Sequence, residues 1–226
     1  MYKMVTGMPG DIVECGVYKL ASVIRFATFR SLLETVYSRK LFAFDAFGEF
    51  PTDGLQDKDD LSFVKSFETA GGDGFSEDEA HKVLKHKQLG NNIFCIKGDV
   101  TQTIPTWLQQ NTQGRIALLH LDMDVYEPTK AALELLWERL VKGGIIVVDD
   151  YNAVGGATRA IDEFISDKDI KLQKLSCSHV PSFFVIHAHD GGHRLPGPQR
   201  RGARGHEQTN RTEARDSTEQ TTASAG

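Results

Sequence analysis

The sequence lacks any apolar run of about 20 residues, the length that a helix needs to cross a bilayer. Its amino terminus, MYKMVTGMPGD, also lacks the basic stretch and following apolar stretch of a secretory signal. Positive charge is not in excess, because 26 Lys and Arg residues stand against 31 Asp and Glu residues. A net charge of -5 gives no reason to expect a nucleic acid as partner. We therefore predict a protein that is neither membrane-spanning nor secreted.

Cysteine is also scarce, and the three cysteines form neither a CxxC pair nor a Cys/His pair of the kind that binds zinc. Cys15, Cys95 and Cys177 each lie in a short apolar run, where a buried and reduced thiol is the ordinary state. We therefore expect free thiols and a reducing compartment, the cytoplasm.

The composition changes sharply after His187. Residues 188–226 contain one large aliphatic residue, Leu195, and no aromatic residue. Such a segment buries too little apolar surface to offset the entropy that it would lose on ordering. We predict one folded domain over residues 1–187 and a disordered, low-complexity tail over residues 188–226. The HAHDGGH stretch at the boundary resembles a metal site, but without a scaffold it is interpreted as a linker.

Five short, nearly continuous apolar runs alternate with longer amphipathic stretches. The runs are DIVECG, LFAFD, IFCIK, IALLHLD and GIIVVDD, at residues 11–16, 41–45, 93–97, 116–122 and 144–150. Runs of this kind are typical of parallel strands that are covered on both faces. They predict the central strands of a parallel sheet.

The stretches between these runs have helical periodicity. Residues 21–38 and 128–140 place apolar side chains on one face, as crossover helices do. Ser76 and Glu79 form a capping-box pattern at the start of another helix. We expect that helix to end near Leu89, because a glycine follows.

Two further strand patterns end the predicted domain. LQKLS at 172–176 and SFFVIH at 182–187 are separated by five residues, too few for a helical crossover and suited to an antiparallel hairpin. Five βα units followed by a hairpin describe an α/β fold, a doubly wound, mostly parallel seven-stranded sheet with a C-terminal antiparallel hairpin. This is the Rossmann-like arrangement of class I methyltransferases.

Polar residues follow these strands at the edge where ligands collect in open α/β sheets. Gly16 would let the backbone approach a ligand closely, and Glu14 could meet an ammonium group. The stretch ECGVYKLAS is not a GxGxxG motif, so it supports a pyrophosphate site only weakly. Asp45 is placed either to accept hydrogen bonds from the ribose of a nucleoside or to cap a turn. Asp99 could reach an adenine amino group.

Four aspartates gather after the fourth and fifth runs: Asp122, Asp124, Asp149 and Asp150. Like charges so close oppose folding unless a cation or shared protons compensate them. Oxygen ligands favour a hard cation, magnesium or else manganese or calcium, over zinc. The alternative is that Asp149 and Asp150 cap a helix while the other two face solvent. His120 is interpreted as a hydrogen-bonded core residue.

Four stretches resemble the macrocin O-methyltransferase family in order and spacing, from about Pro9 to Phe184. They are PGDIVECGVYKLAS, FAFDAFGEFP, LLHLDMDVYEPTKAALELL and VKGGIIVVDDY. Members of this family depend on S-adenosylmethionine and magnesium and methylate sugar hydroxyls of natural products. The resemblance implies an O-methyltransferase with these two cofactors, a small-molecule acceptor, no nucleic-acid or membrane partner, and a homo-oligomeric state.

The resemblance also implies roles for individual residues. Asp122, Asp149 and Asp150 would bind the metal, and Asp124 would be the general base. The residues implied for the cofactor pocket are Glu14, Gly16, Ser22, Asp45, Phe47 and Asp99. Acceptor specificity would lie in a mobile region at residues 51–74. A sugar, a nucleotide-linked sugar, a glycosylated macrocycle and a small polyol all remain open as acceptors.

Two features depart from the family pattern. Leu20 stands where the family usually has glycine, which would narrow the loop around the cofactor. Only ten residues precede the first apolar run, where family members carry further helices. A diverged or truncated domain that binds cofactor without turnover therefore stays an alternative. A magnesium-dependent phosphatase of the haloacid-dehalogenase type fits less well, because its DxD pair follows the first strand.

Overall fold

A seven-stranded sheet forms the centre of this computed structural model, which describes residues 1–187. Its strands are β1 (Asp11–Cys15), β2 (Leu41–Asp45), β3 (Ile93–Lys97), β4 (Ile116–Leu121), β5 (Leu140–Val148), β6 (Gln173–Lys174) and β7 (Ser182–Val185). The strand order is β3-β2-β1-β4-β5-β7-β6, with β1 to β5 parallel and β6 and β7 antiparallel. The predicted doubly wound sheet with its C-terminal hairpin is confirmed. The predicted tail, 188–226, lies outside the described residues.

Helices cover both faces of the sheet. They are α1 (Tyr2–Val5), α2 (Ala21–Leu33), α3 (Lys58–Gly71), α4 (Glu77–His86), α5 (Val100–Gln110), α6 (Tyr126–Leu136) and α7 (Gly155–Ile165). Val13 on β1 packs in a core with α5, α6 and α7, whereas its neighbour Ile12 packs in a second core with α1, α2 and α4. Both faces of β1, β2 and β4 are buried, which explains their continuous apolar runs, whereas β3 lies at the edge of the sheet and is only partly buried.

The helix predicted over 21–38 ends five residues early, at Leu33. Glu34 leaves the helix because its carboxylate accepts hydrogen bonds from Tyr2 Oη at 2.5 Å and Arg39 Nε at 2.8 Å. These long-range partners compete with continuation of the helix, and a helical periodicity cannot reveal them.

The capping box at the start of α4 is confirmed: Ser76 and Glu79 exchange hydrogen bonds between side chain and backbone. The helix ends at His86 rather than near Leu89. Gln88 takes a left-handed conformation, φ 57°, so the chain turns before the glycine is reached.

The region at 51–74, predicted to be mobile and to set acceptor specificity, contains α3. Asp57 caps this helix by accepting a hydrogen bond from the backbone N–H of Asp59. Only one side of α3 is apolar, and Val64 is its one fully buried aliphatic residue. The polar composition of the segment concealed the helix.

The three cysteines are free, as expected. Cys15 is buried and Cys95 is half-buried, but Cys177 is exposed, because it lies in the turn between β6 and β7. The prediction of a buried thiol is therefore wrong for Cys177. In the described part of the chain, no helix is both long enough and apolar enough to span a bilayer.

Candidate active site

Gly16 allows the ends of β1 and β4 to meet at the carboxyl edge of the sheet. Its φ of +87° is a left-handed conformation that glycine adopts without strain. A Cβ at this position would overlap the carbonyl oxygen of Asp122. The backbone N–H of Asp122 donates to the carbonyl oxygen of Cys15 at 2.9 Å. Gly16 therefore serves the close approach of two strands.

Asp45, at the end of β2, organises the loop that follows β1. One carboxylate oxygen accepts from the backbone N–H groups of Val17 and Tyr18, at 2.7 and 3.0 Å, and the other accepts from Phe47 N at 2.7 Å. Asp45 thus has the turn-capping role that the sequence left open. It also faces a cavity, and its carboxylate retains acceptor capacity for a ligand.

Leu20 adopts a backbone conformation that favours glycine, yet its side chain is buried in the core. It takes a left-handed conformation, φ 67°, immediately before α2. Its side chain is fully buried in the core with Val23 and Ala27. Leu20 does not belong to the described residues that line the cavity. The expected narrowing of the cofactor loop is therefore not seen, because the side chain points into the core.

A cavity of about 430 Å³ opens above the carboxyl ends of the parallel strands. This volume lies within the range of small-molecule sites. Seven of the ten predicted site residues line it: Gly16, Asp45, Asp99, Asp122, Asp124, Asp149 and Asp150. Asp99 also caps α5, accepting a hydrogen bond from Thr101 N at 2.8 Å.

The other three predicted cofactor residues, Glu14, Ser22 and Phe47, are absent from the lining of the cavity. Glu14 is fully buried and accepts a short hydrogen bond from Ser22 Oγ. The same oxygen, Oε1, lies 3.1 Å from Nδ1 of His120, which is itself buried, as expected. The second carboxylate oxygen, Oε2, has no partner among residues 1–187. A ligand role for these three residues stays a prediction.

Three of the clustered aspartates converge on one point. Asp122, Asp149 and Asp150 each place a carboxylate oxygen within 4.8 Å of those of the other two. Asp124 lies outside this group, but its backbone N–H donates to Asp150 Oδ2 at 3.2 Å. Its φ of 64° turns the chain at the end of β4. Asp122 and Asp124 line the cavity and are only partly exposed, and their role as metal ligand and general base stays a prediction.

Proximity and burial change the acidity of these aspartates. Burial, opposed by His120 and reinforced by Asp149, raises the pKa of Asp122 to about 8. Burial and the charge of Asp150 raise the pKa of Asp124, and burial and Asp149 raise that of Asp150. Mutual repulsion of this kind is relieved when a cation binds. The three converging oxygen donors fit a hard divalent cation.

Glu127 is a site residue that the sequence analysis missed. It lies in the first turn of α6 and lines the cavity. Its Oε1 accepts from the backbone N–H of Gln56 at 3.2 Å, while its Oε2 is buried without a partner in the described residues. The residue stands in the quoted LDMDVYEPT stretch, but no periodicity shows that its side chain turns toward the cavity.

α3 borders the cavity and is attached to the loop after β1. The rings of Tyr18 and Phe67 lie 5.1 Å apart, and Tyr18 Oη donates to the carbonyl oxygen of Gly71 at 2.6 Å. Tyr18 and Phe67 both line the cavity. The segment predicted to set specificity therefore does border the site.

A family model described as macrocin-O-methyltransferase (TylF) matches residues 3–184. The chain belongs to the macrocin O-methyltransferase family. This membership confirms the resemblance and contradicts the phosphatase alternative, in agreement with the position of the DxD pair after β4 rather than β1.

The chain shares about a quarter of its aligned residues with curated relatives. The 8-demethyl-8-(2,3-dimethoxy-alpha-L-rhamnosyl)-tetracenomycin-C 4'-O-methyltransferase of Streptomyces olivaceus is 27% identical over 173 residues, which are 70% of this chain and 59% of that protein. The demethyldecarbamoylnovobiocin O-methyltransferase of Streptomyces niveus is 27% identical over 72% of this chain and 61% of its own length. The chain thus spans about 60% of these relatives.

Solved structures show the same fold. A calicheamicin methyltransferase superposes with a TM-score of 0.61 at 27% identity, covering 81% of this chain and 75% of its own. The O-methyltransferase NovP superposes with a TM-score of 0.70 at 23% identity, covering 83% and 78%. The chain therefore has the class I methyltransferase fold.

Proposed function

We propose that this chain is an S-adenosylmethionine-dependent O-methyltransferase that methylates a hydroxyl of a sugar or similar diol in natural-product biosynthesis, with the assistance of a metal ion. The observation that carries the proposal is the convergence of Asp122, Asp149 and Asp150 beside Asp124 in the cavity of a macrocin O-methyltransferase family chain. A curated relative named for a rhamnosyl 4'-O-methyltransferase supports the sugar acceptor.

The cofactor would be held by the ends of the first three strands. Gly16, Asp45 and Asp99 line this side of the cavity. Asp45 would accept hydrogen bonds from the ribose hydroxyls, and Asp99 would accept one from the adenine amino group. Glu14 and Ser22, hydrogen-bonded to each other behind the lining, would fix the end of β1 and the start of α2. When bound, S-adenosylmethionine supplies an electrophilic methyl group.

Asp122, Asp149 and Asp150 would hold Mg²⁺, which when bound lowers the pKa of a coordinated hydroxyl and fixes the acceptor. Asp124 would take the proton of the acceptor hydroxyl, because it lines the cavity directly beside the three converging aspartates without belonging to their group. The loop after β2 and α3 border the cavity and would exclude water from it.

The test is formation of S-adenosylhomocysteine by the full chain with S-adenosylmethionine, MgCl₂ and a panel of glycosides with vicinal hydroxyls. We expect product that disappears with a chelator and returns with Mg²⁺. Binding of S-adenosylmethionine, measured by calorimetry, without product on any glycoside would favour the alternative of a cofactor-binding domain without turnover.

A further inference from the structure

His120 is a buried polar residue that has no role in the proposed function. It lies on β4 between two leucines, and its side chain is 5% exposed. Burial of an imidazole is unfavourable unless its nitrogens have polar partners. The two ring nitrogens therefore need partners within the protein.

The register of the sheet places an acidic residue on either side of His120. Glu14 on β1 is its direct neighbour in one parallel ladder, and Val147 on β5 is its neighbour in the other. Asp149 follows Val147 by two residues, and its backbone N–H continues the ladder by donating to the carbonyl oxygen of Leu121 at 3.0 Å. Residues two apart on a strand share a face, so the three polar side chains stand in a row on one face of the sheet.

Each ring nitrogen of His120 faces one of the two carboxylates. Nδ1 lies 3.1 Å from Oε1 of Glu14, and Nε2 lies 3.8 Å from Oδ1 of Asp149. An ionised carboxylate only accepts hydrogen bonds, so the ring faces both through N–H groups. The ring of Phe26 packs against the imidazole edge to face, with centroids 5.4 Å apart, which restricts rotation of the imidazole.

Glu14 connects His120 to the cofactor side of the cavity. Its Oε1 also accepts a hydrogen bond from Ser22 Oγ, in the first turn of α2. Three residues of the loop between Glu14 and Ser22 line the cavity: Gly16, Val17 and Tyr18. Glu14 is fully buried, so the loss of a donor would leave an unfavourable carboxylate at the base of this loop.

Asp149 connects His120 to the metal side of the cavity. Its carboxylate converges with those of Asp122 and Asp150. The side chain of Asp149 is 39% exposed, so repulsion within the group favours its rotation toward solvent. His120 is its basic partner among residues 1–187 and attracts the carboxylate toward the inside of the site.

We propose that His120 is a positioning residue shared by both halves of the site, in which Nδ1 holds Glu14 on the cofactor side and Nε2 holds Asp149 on the metal side. This inference rests on the proposed function, because it concerns the same cofactor and the same metal ion. It adds that one buried side chain sets the affinity of the chain for both ligands.

Two substitutions separate the roles of the two ring nitrogens. The amide nitrogen of asparagine stands as many bonds from Cα as Nδ1, and that of glutamine stands as many bonds from Cα as Nε2. His120→Asn should therefore keep the bond to Glu14 and lose the contact with Asp149. His120→Gln should do the reverse, and His120→Phe should fill the space of the ring while removing both donors.

The experiment is calorimetry of the full chain with MgCl₂ and, separately, with S-adenosylhomocysteine. His120→Phe should weaken the binding of both roughly tenfold or more. His120→Asn should weaken Mg²⁺ binding by about the same factor and leave S-adenosylhomocysteine binding within a few-fold of the parent, and His120→Gln should show the opposite pattern. His81→Gln, at an exposed position of α4, is the control and should change neither affinity.

Urea unfolding of the same variants distinguishes positioning from a general structural role. A structural role alone would lower both affinities together, in proportion to the lost stability, in the asparagine variant as in the glutamine variant. Equal losses in these two variants, or parental affinities in His120→Phe, would overturn the inference. If His120→Phe does not fold, the contrast between asparagine and glutamine decides alone.

The two proposals fail in different ways, because these titrations contain no acceptor. The predicted pattern of affinities without formation of S-adenosylhomocysteine on any glycoside would reject the proposed activity and keep the role of His120. Methylation by the parent, together with equal affinities in all the variants, would keep the activity and reject the inference.

Discussion

The carboxylate of Asp60, on α3, accepts a hydrogen bond from the backbone N–H of Tyr126, on α6, at 2.9 Å. Asp60 is only 2% exposed, and it satisfies one of the free N–H groups in the first turn of α6. This turn begins two residues after Asp124. The hydrogen bond therefore attaches α3, which borders the cavity, to the start of α6, close to the end of β4 that carries the proposed base.

Gly156 is expected to be essential for this arrangement. A Cβ on Gly156 would overlap the buried carboxylate of Asp60. Gly156→Ala should therefore destabilise the protein by about 1–3 kcal/mol, although alanine favours a helix by about 1 kcal/mol. Gly155→Ala, next in the same helix with open space around it, should be neutral or stabilising. Urea unfolding of both variants is the measurement, and equal stability would contradict the packing argument.

Gly16→Ala should disrupt the site from the strand end. The added Cβ meets the backbone of Asp122 and the left-handed φ becomes strained, so β1 and β4 must separate. We expect loss of about 3 kcal/mol or more of stability, or failure to fold. Gly48→Ala is the control, since it lies in the cavity lining with open space at its Cβ and an ordinary φ. Similar unfolding curves for the two variants would refute this role.

Asp124→Asn should separate binding from chemistry. The amide cannot accept the acceptor proton, so turnover should fall roughly 10²-fold or more. Mg²⁺ and S-adenosylmethionine affinities, measured by calorimetry, should stay within a few-fold, because Asp124 lies outside the three converging oxygens. Undiminished turnover would eliminate Asp124 as the base.

Asp150→Ala should remove the response to the metal. Loss of one of three oxygen donors should abolish measurable Mg²⁺ binding and the rise in melting temperature that Mg²⁺ causes. Asp167→Ala removes the same charge from an exposed site and should leave both intact. A chelator-treated Asp150→Ala protein that still methylates as fast as the metal-loaded parent would refute the metal role.

Stability at acid pH should depend on Glu34. Burial favours the protonated carboxyl, but hydrogen bonds from Arg39 and Tyr2 outweigh it, so the pKa of Glu34 lies below its ordinary value of 4.5. A carboxyl group whose pKa is lower in the folded state than in the unfolded state stabilises the fold. This stabilisation is fully present above the pKa of the unfolded state and is lost as the pH falls through the pKa of the folded state. We therefore expect the free energy of unfolding to decrease below about pH 4.5 through this group.

Glu34→Gln isolates that contribution. The variant should be less stable than the parent at pH 7, because Arg39 loses its charged partner, which it contacts at 2.6 Å. The difference between the two proteins should shrink as the pH falls toward 3. A constant difference in urea unfolding across this range would show that ionisation of Glu34 does not contribute.

The strands of the sheet were predictable from the sequence alone, because the patterns that indicate them involve only residues that are neighbours in the chain. Runs such as 41–45 and 93–97 match their strands residue for residue, because short, mostly apolar segments bounded by polar residues are a local signal of strands. The capping box at Ser76 and Glu79 is equally local. The aspartates were predicted to meet because parallel strands end at the same edge.

Only the tertiary structure decided where individual side chains point. Leu20 turns into the core, Glu14 pairs with His120 behind the cavity, and Glu127 turns toward it. These directions depend on contacts between residues far apart in sequence, such as the bond from Gln56 N to Glu127, which periodicity does not encode. Local pattern therefore fixed which elements form and where the acids collect, whereas long-range packing decided the shape and charge of the pocket that they line.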